Sequence, residues 1–198
     1  MTIQPGSPVD RLLTASLIFA PMLYLLADCL YAARGWDDGA AGLTHVLGAT
    51  AYAFVFLRLV TLSDRVMAAV LLVVAVLGTA GNVGYGFNTI HVSLGDTDLV
   101  DASGAAVLIK PLGLFFPLAI LLAAWALHRI AAPWLTVTLA LSAIAWPVAH
   151  IPDIAWLAVA VNVALVAAFG ALAIRVPQPA HSRPTNPRDV RATTHRPA

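Results

Sequence analysis

The side chains best able to do chemistry in this chain are few, and all sit in apolar surroundings. Lys110 is the only lysine, and it lies inside SGAAVLIKPLGLFFPLAILLAAWAL, a run apolar enough to cross a bilayer, with Pro111 directly after it. Asp28 lies inside an earlier run of the same kind, and Asn82 and Asn162 inside two more. A carboxyl in such a place must find a donor, stay protonated or face a wet cavity. Paired with a lysine it can exchange partners as a proton or a charged ligand arrives. Held alone in an apolar cleft it can serve as a general acid or base.

Spacing groups further residues with these. Pro21, Tyr24, Asp28 and Tyr31 fall at i, i+3, i+7 and i+10, one stripe of a 3.6-residue helix. His45, Ala49 and Tyr52 make a second stripe, and Gly78, Asn82 and Tyr85 a third. Ordinary interhelical packing, with tyrosines near an interface, would give the same pattern. Three such stripes at one depth favour a site. Gly78, Gly81 and Gly84 share a face that lets another helix approach closely or leaves room for a ligand beside Asn82. Pro111 and Pro117 are expected to free the carbonyls of Val107 and Gly113. Broken helices beside a charge line binding sites in some transporters, although prolines are also common in membrane helices without that role.

The elements that position these residues follow from composition. Of 198 residues, 60% are hydrophobic and 11% charged, whereas soluble domains carry about 25% charged residues. A bilayer can accommodate so much apolar surface; a soluble core of this size cannot. Six apolar runs approach the roughly 20 residues that a membrane-spanning helix needs: Leu12–Ala32, Leu43–Leu62, Val66–Phe87, Ala105–Leu127, Pro133–Val148 and Ile154–Ile174. The expected fold is all-α, a polytopic integral membrane protein of six transmembrane helices over residues 1–175. Helix 1 is read as retained rather than cleaved, because Asp28 occupies the position before Cys29 where a lipoprotein signal needs a small residue. Residues 176–198, rich in proline and arginine without apolar periodicity, are expected to be a disordered basic tail, able to rest on anionic lipids.

Basic residues set the expected orientation. Arg11, Arg58, Arg65, Arg129 and Arg175 mark one set of helix ends, and Arg183, Arg188, Arg191 and Arg196 follow in the tail. The other ends hold Arg34 with Asp37, Asp38, Asp96, Asp98, Asp101 and Asp153. Both termini are therefore expected inside, N-in/C-in, with the acidic loops outside. Trp36, Trp146 and Trp156 are read as outer interface anchors, and Trp125 and Trp134 as inner ones. In this frame Asp28, His45, Asn82, Lys110, His150, Asn162 and all four tyrosines occupy the outer half, and the inner half has little beyond Arg58 and His128.

Helical Cβ atoms tilt toward the helix N-terminus. Lys110 therefore leans outward, where it can snorkel to the headgroups, and Asp28 leans inward, where a short carboxyl cannot. We expect Lys110 to meet Asp28, with Tyr52, Asn82 and His45 as the next candidate partners. The ligand-binding set is Tyr24, Asp28, His45, Tyr52, Asn82, Tyr85, Lys110 and Asn162, and the candidates for acid, base or charge stabilisation are Asp28, Lys110 and His45.

Several classes are disfavoured. One cysteine excludes an internal disulfide framework. His45, His91 and His150 are weak metal candidates: none are at i, i+4 on one helix, and ordinary interfacial histidines have the same pattern. A bis-histidine haem would need His45 and His150 at one depth, which they fit loosely, and no cofactor is expected. Six spans, with a lysine so early in the chain and near the outer edge, argue against a retinal protein. No phosphate loop, nucleotide fingerprint or nucleophile elbow occurs, and net charge +1 implies no nucleic-acid partner. Membrane lipids and a lipid or small-molecule ligand are the expected partners, at the plasma membrane of the cell. The leading expectation is a ligand-binding, sensory or accessory membrane protein with an outward-facing polar pocket. A membrane-embedded enzyme acting on a lipid or isoprenoid, with Asp28 as acid or base, is an alternative. A small proton- or solute-coupled transporter is another, weakened by the sparse polar content of the inner half.

Overall fold

A computed structural model describes residues 3–175, which leaves the tail at 176–198 outside the described residues. Within them the chain is helical and has no strand. Its elements are α1 (Pro8–Arg34), α2 (Gly39–Leu62), α3 (Arg65–Ser93), α4 (Ile109–Leu127), α5 (Pro133–His150) and α6 (Ala155–Arg175), with a short 3-10 turn, Gly104–Leu108, leading into α4. Five stretches are long and apolar enough to cross a membrane: α1, α2, α3, the 3-10 turn with α4, and α6.

Local sequence signals explain the boundaries. Ser7, Asp38 and Asp64 accept backbone N–H groups at the starts of α1, α2 and α3, which satisfies donors that a helix leaves free. Gly35, at φ 99°, ends α1 and donates its N–H to the Tyr31 carbonyl. Asp153, at φ 58°, turns the chain between α5 and α6. Two expectations fail here. The third helix runs past the expected end at Phe87 to Ser93, so His91 is helical, and it faces Asp96 at 3.3 Å. Pro111 does not break the fourth helix. It falls in the first turn of α4, where the N–H it lacks would be unpaired in any case.

Each helix packs against its sequence neighbours, and α6 closes onto α1, so the six form a ring. Small residues make the closest seams. A Cβ at Gly78 would strike the backbone at Phe115–Phe116, and one at Gly81 the backbone at Leu112–Gly113, so α3 and α4 touch there without intervening side chains. Gly84 has open space instead and takes no part in that seam. Between α2 and α3, Gly42 and Gly86 face each other in the same way.

Aromatic rings fill the interior. Phe116 lies within 6 Å, centroid to centroid, of Tyr24, Tyr52, Phe56 and Trp146. The outer surface is apolar in stripes: Val66, Val70, Val73 and Val76 on α3, and Val137, Leu141, Ile144 and Val148 on α5, are all exposed. A surface of exposed aliphatic rows suits lipid rather than water. Trp125, Trp134 and Trp156 lie on it. Trp146 does not. It is buried in the core, which corrects its expected role as an interface anchor.

Candidate functional site

One buried network lies between α1, α2, α3 and α4. The Asn82 amide nitrogen donates to the Gly78 carbonyl at 2.9 Å and the Gly113 carbonyl at 3.2 Å. Carbonyls can only accept, so this fixes which end of the amide is oxygen. That oxygen accepts from the Tyr24 hydroxyl at 2.9 Å. The Tyr24 proton being committed, its oxygen must accept from His45 Nε2 at 3.2 Å. His45 therefore carries its proton on Nε2, and its Nδ1 is a bare acceptor with no partner. Tyr24, His45 and Asn82 are essentially inaccessible.

A second network lies between α1, α5 and α6. Asn162 donates to Asp28 Oδ2 at 2.6 Å. His150 Nε2 stands 3.4 Å from Asp28 Oδ1, at ion-pair distance but without hydrogen-bond alignment. The His150 Nδ1 atom is 2.9 Å from the Trp146 carbonyl, so Nδ1 must be the donor there. A neutral His150 would then turn the lone pair of Nε2 toward a carboxylate. The contact is attractive only when a proton resides on Nε2 or on Asp28.

Beside these networks is a cavity of about 380 Å³, at the lower end of the roughly 300–1,000 Å³ of small-molecule sites. His45, Asn82, Trp146 and His150 line its deep part, with Tyr85 and Gly113 on its wall and Asp98, Asp101, Lys110 and Asp153 from the acidic end of the bundle. The Trp146 indole, stacked on His150 at 4.1 Å, has an N–H without a partner. An unpaired buried polar group costs about 1–3 kcal/mol, and three of them, His45 Nδ1, Trp146 Nε1 and His150 Nε2, belong to residues lining one cavity.

Lys110 does not meet Asp28. It pairs with Asp101 across the turn before α4, and both side chains are exposed. The expected Asp28–Lys110 pair is thereby overturned. The α1 and α4 helices are not neighbours in the ring, and Lys110, in the first turn of α4, has a carboxylate within reach at the surface. Of the residues expected to bind ligand, His45, Asn82, Tyr85 and Lys110 line the cavity. Tyr24, Asp28, Tyr52 and Asn162 are buried outside its lining, Tyr24 and Asp28 directly behind His45 and His150. Among the described residues no three histidine, cysteine or acidic side chains group as a metal site requires.

Sequence reasoning overlooked Trp146 as a lining residue and considered His150 only as a weak metal or haem candidate. A signal was present: the two lie at i, i+4 on one face of α5. Asp153, placed outside by the expected topology, also belongs to the lining. Its carboxyl is pushed above the usual range, by partial burial first and then by the neighbouring Asp37.

These features define a helical membrane protein with a polar-floored cavity near one end of its bundle. No family model, no curated protein and no solved structure matches the chain.

Proposed function

We propose that this protein is a ligand-binding membrane protein, sensory or accessory in role, that admits a small molecule from the outer side into the cavity above His45 and Trp146. In this reading it spans the plasma membrane six times with both termini inside. The α5 helix serves as the sixth span: its 18 residues measure about 27 Å at 1.5 Å per residue, and its exposed Val137, Leu141, Ile144 and Val148 face lipid.

The observation that carries the reading is a cavity of about 380 Å³ whose lining residues His45, Trp146 and His150 each keep a buried polar atom without a hydrogen-bond partner. A bound molecule offering complementary groups would relieve them after a small shift of these side chains. The enzyme alternative draws less support. Asp28, its acid or base, is fully buried and lies outside the cavity lining, so a substrate held there does not reach it. The transporter alternative has less support, because among the described residues the charged contact toward the inner half is the part-buried pair of Arg58 with Asp10.

Gly113 supplies the test. It lines the cavity, and a Cβ there meets open space, so Gly113→Leu should occlude the cavity while the bundle still folds. Purified wild-type protein should be stabilised against heat by members of a small-molecule panel, and Gly113→Leu by none of them. Equal shifts in the two proteins, or none in either, would contradict the reading.

A further inference from the structure

Resting on that reading, we infer that the cavity takes a small organic cation, a protonated amine on a compact apolar or aromatic body. The argument begins with charge. The lining includes three carboxylates, Asp98, Asp101 and Asp153, and one cation, Lys110. Lys110 is committed to Asp101. Asp98 accepts from the Asn88 amide and the Val100 N–H, neither of which neutralises it. Asp153 makes no ion pair among the described residues, and the Trp36 indole bonded to its carbonyl brings Asp37 to the same mouth. Arg34, the other cation at this end, is held by Asp38. The mouth thus presents more carboxylates than cations, and among the described residues Asp98 and Asp153 make no ion pair.

The deep part adds independent support. His45 is buried, and its tautomer, set by Tyr24 and Asn82, leaves Nδ1 able only to accept. An ammonium group has only donors to offer. The wall holds Tyr85, an aromatic ring of the kind whose face attracts cations. A carboxylate ligand would meet repulsion at the mouth.

Three probes with one body separate charge from shape: benzylamine, protonated at neutral pH, benzyl alcohol and benzoate, each titrated calorimetrically into the purified full-length protein. Benzylamine should bind at least about tenfold more tightly than either of the others, and Asp153→Asn should weaken it several-fold while leaving benzyl alcohol unchanged. Benzyl alcohol or benzoate binding as well as benzylamine would overturn the cation inference and leave the binding-site reading standing. Binding of none of the three would also overturn it, and the Gly113→Leu comparison with the wider panel would then judge the binding-site reading separately.

Discussion

His150 Nε2 stands 3.4 Å from Asp28 Oδ1, joining α5 to α1 across the face of α6, which contributes Asn162 to the same carboxyl. The two helices are not neighbours in the ring. The contact therefore ties together three helices through one buried acid, and it predicts where mutational coupling resides. Asp28→Asn and His150→Gln should each destabilise the protein, and the double variant should lose less than the sum, with a coupling of about 0.5–3 kcal/mol. Lys110→Met should cost under about 1 kcal/mol, as exposed pairs do, and should add independently to Asp28→Asn. Thermal or denaturant unfolding in detergent measures both cycles. Coupling of Asp28 to Lys110 instead of His150 would contradict the assignment.

The α3–α4 seam predicts a contrast between two glycines three residues apart. Gly81→Leu must force backbones apart, since even a Cβ there collides with Leu112–Gly113. It should cost at least about 1–3 kcal/mol. Gly84→Leu enters open space and should be mild. Equal melting curves for the two variants would show that α3 does not seat on α4 as described.

Much of this arrangement was legible in the sequence, and the parts that were not have physical reasons. Apolar runs gave all six helices, because hydrophobic length survives without tertiary information. The stripe Pro21, Tyr24, Asp28 and Tyr31 is buried along its whole length, since helical periodicity fixes which residues share a face. Partner choice was not legible, because it depends on how the ring closes. Depth and charge alone suggested Lys110 for Asp28, but depth does not reveal that α4 lies away from α1. The same limit hid the 2.9 Å pair of Arg58 with Asp10, which joins α2 to α1 at the basic end. Gly84 lies three residues from Gly81 yet meets nothing, because shared helical spacing does not reveal how far a neighbouring helix extends along the face.

Asp153 gives a pH-dependent expectation. Its folded pKa is raised above its unfolded value, by burial and by Asp37, so folding favours the protonated form. Its ionisation therefore lowers stability as pH rises from the ordinary carboxylate range through the raised folded value, and the penalty is fully present above that window. Asp153→Asn should raise the melting temperature at neutral pH and lose that advantage in acid, below the window. Asparagine is the suitable replacement because it tolerates the positive φ of 58° at this position. A neutral-pH melting temperature that falls would show that Asp153 is stabilised by its surroundings.

The central claim, a cavity reached from the acidic end of the bundle, is tested most directly by labelling its wall. Cys29 is the only native cysteine, so Cys29→Ser provides a background without thiols, and Gly113→Cys then places one thiol where a Cβ meets open space. A membrane-impermeant maleimide should label it from outside intact cells and not from the inner face of inverted vesicles. Labelling only from the inner face, or none from either side while the denatured protein reacts fully, would contradict the account.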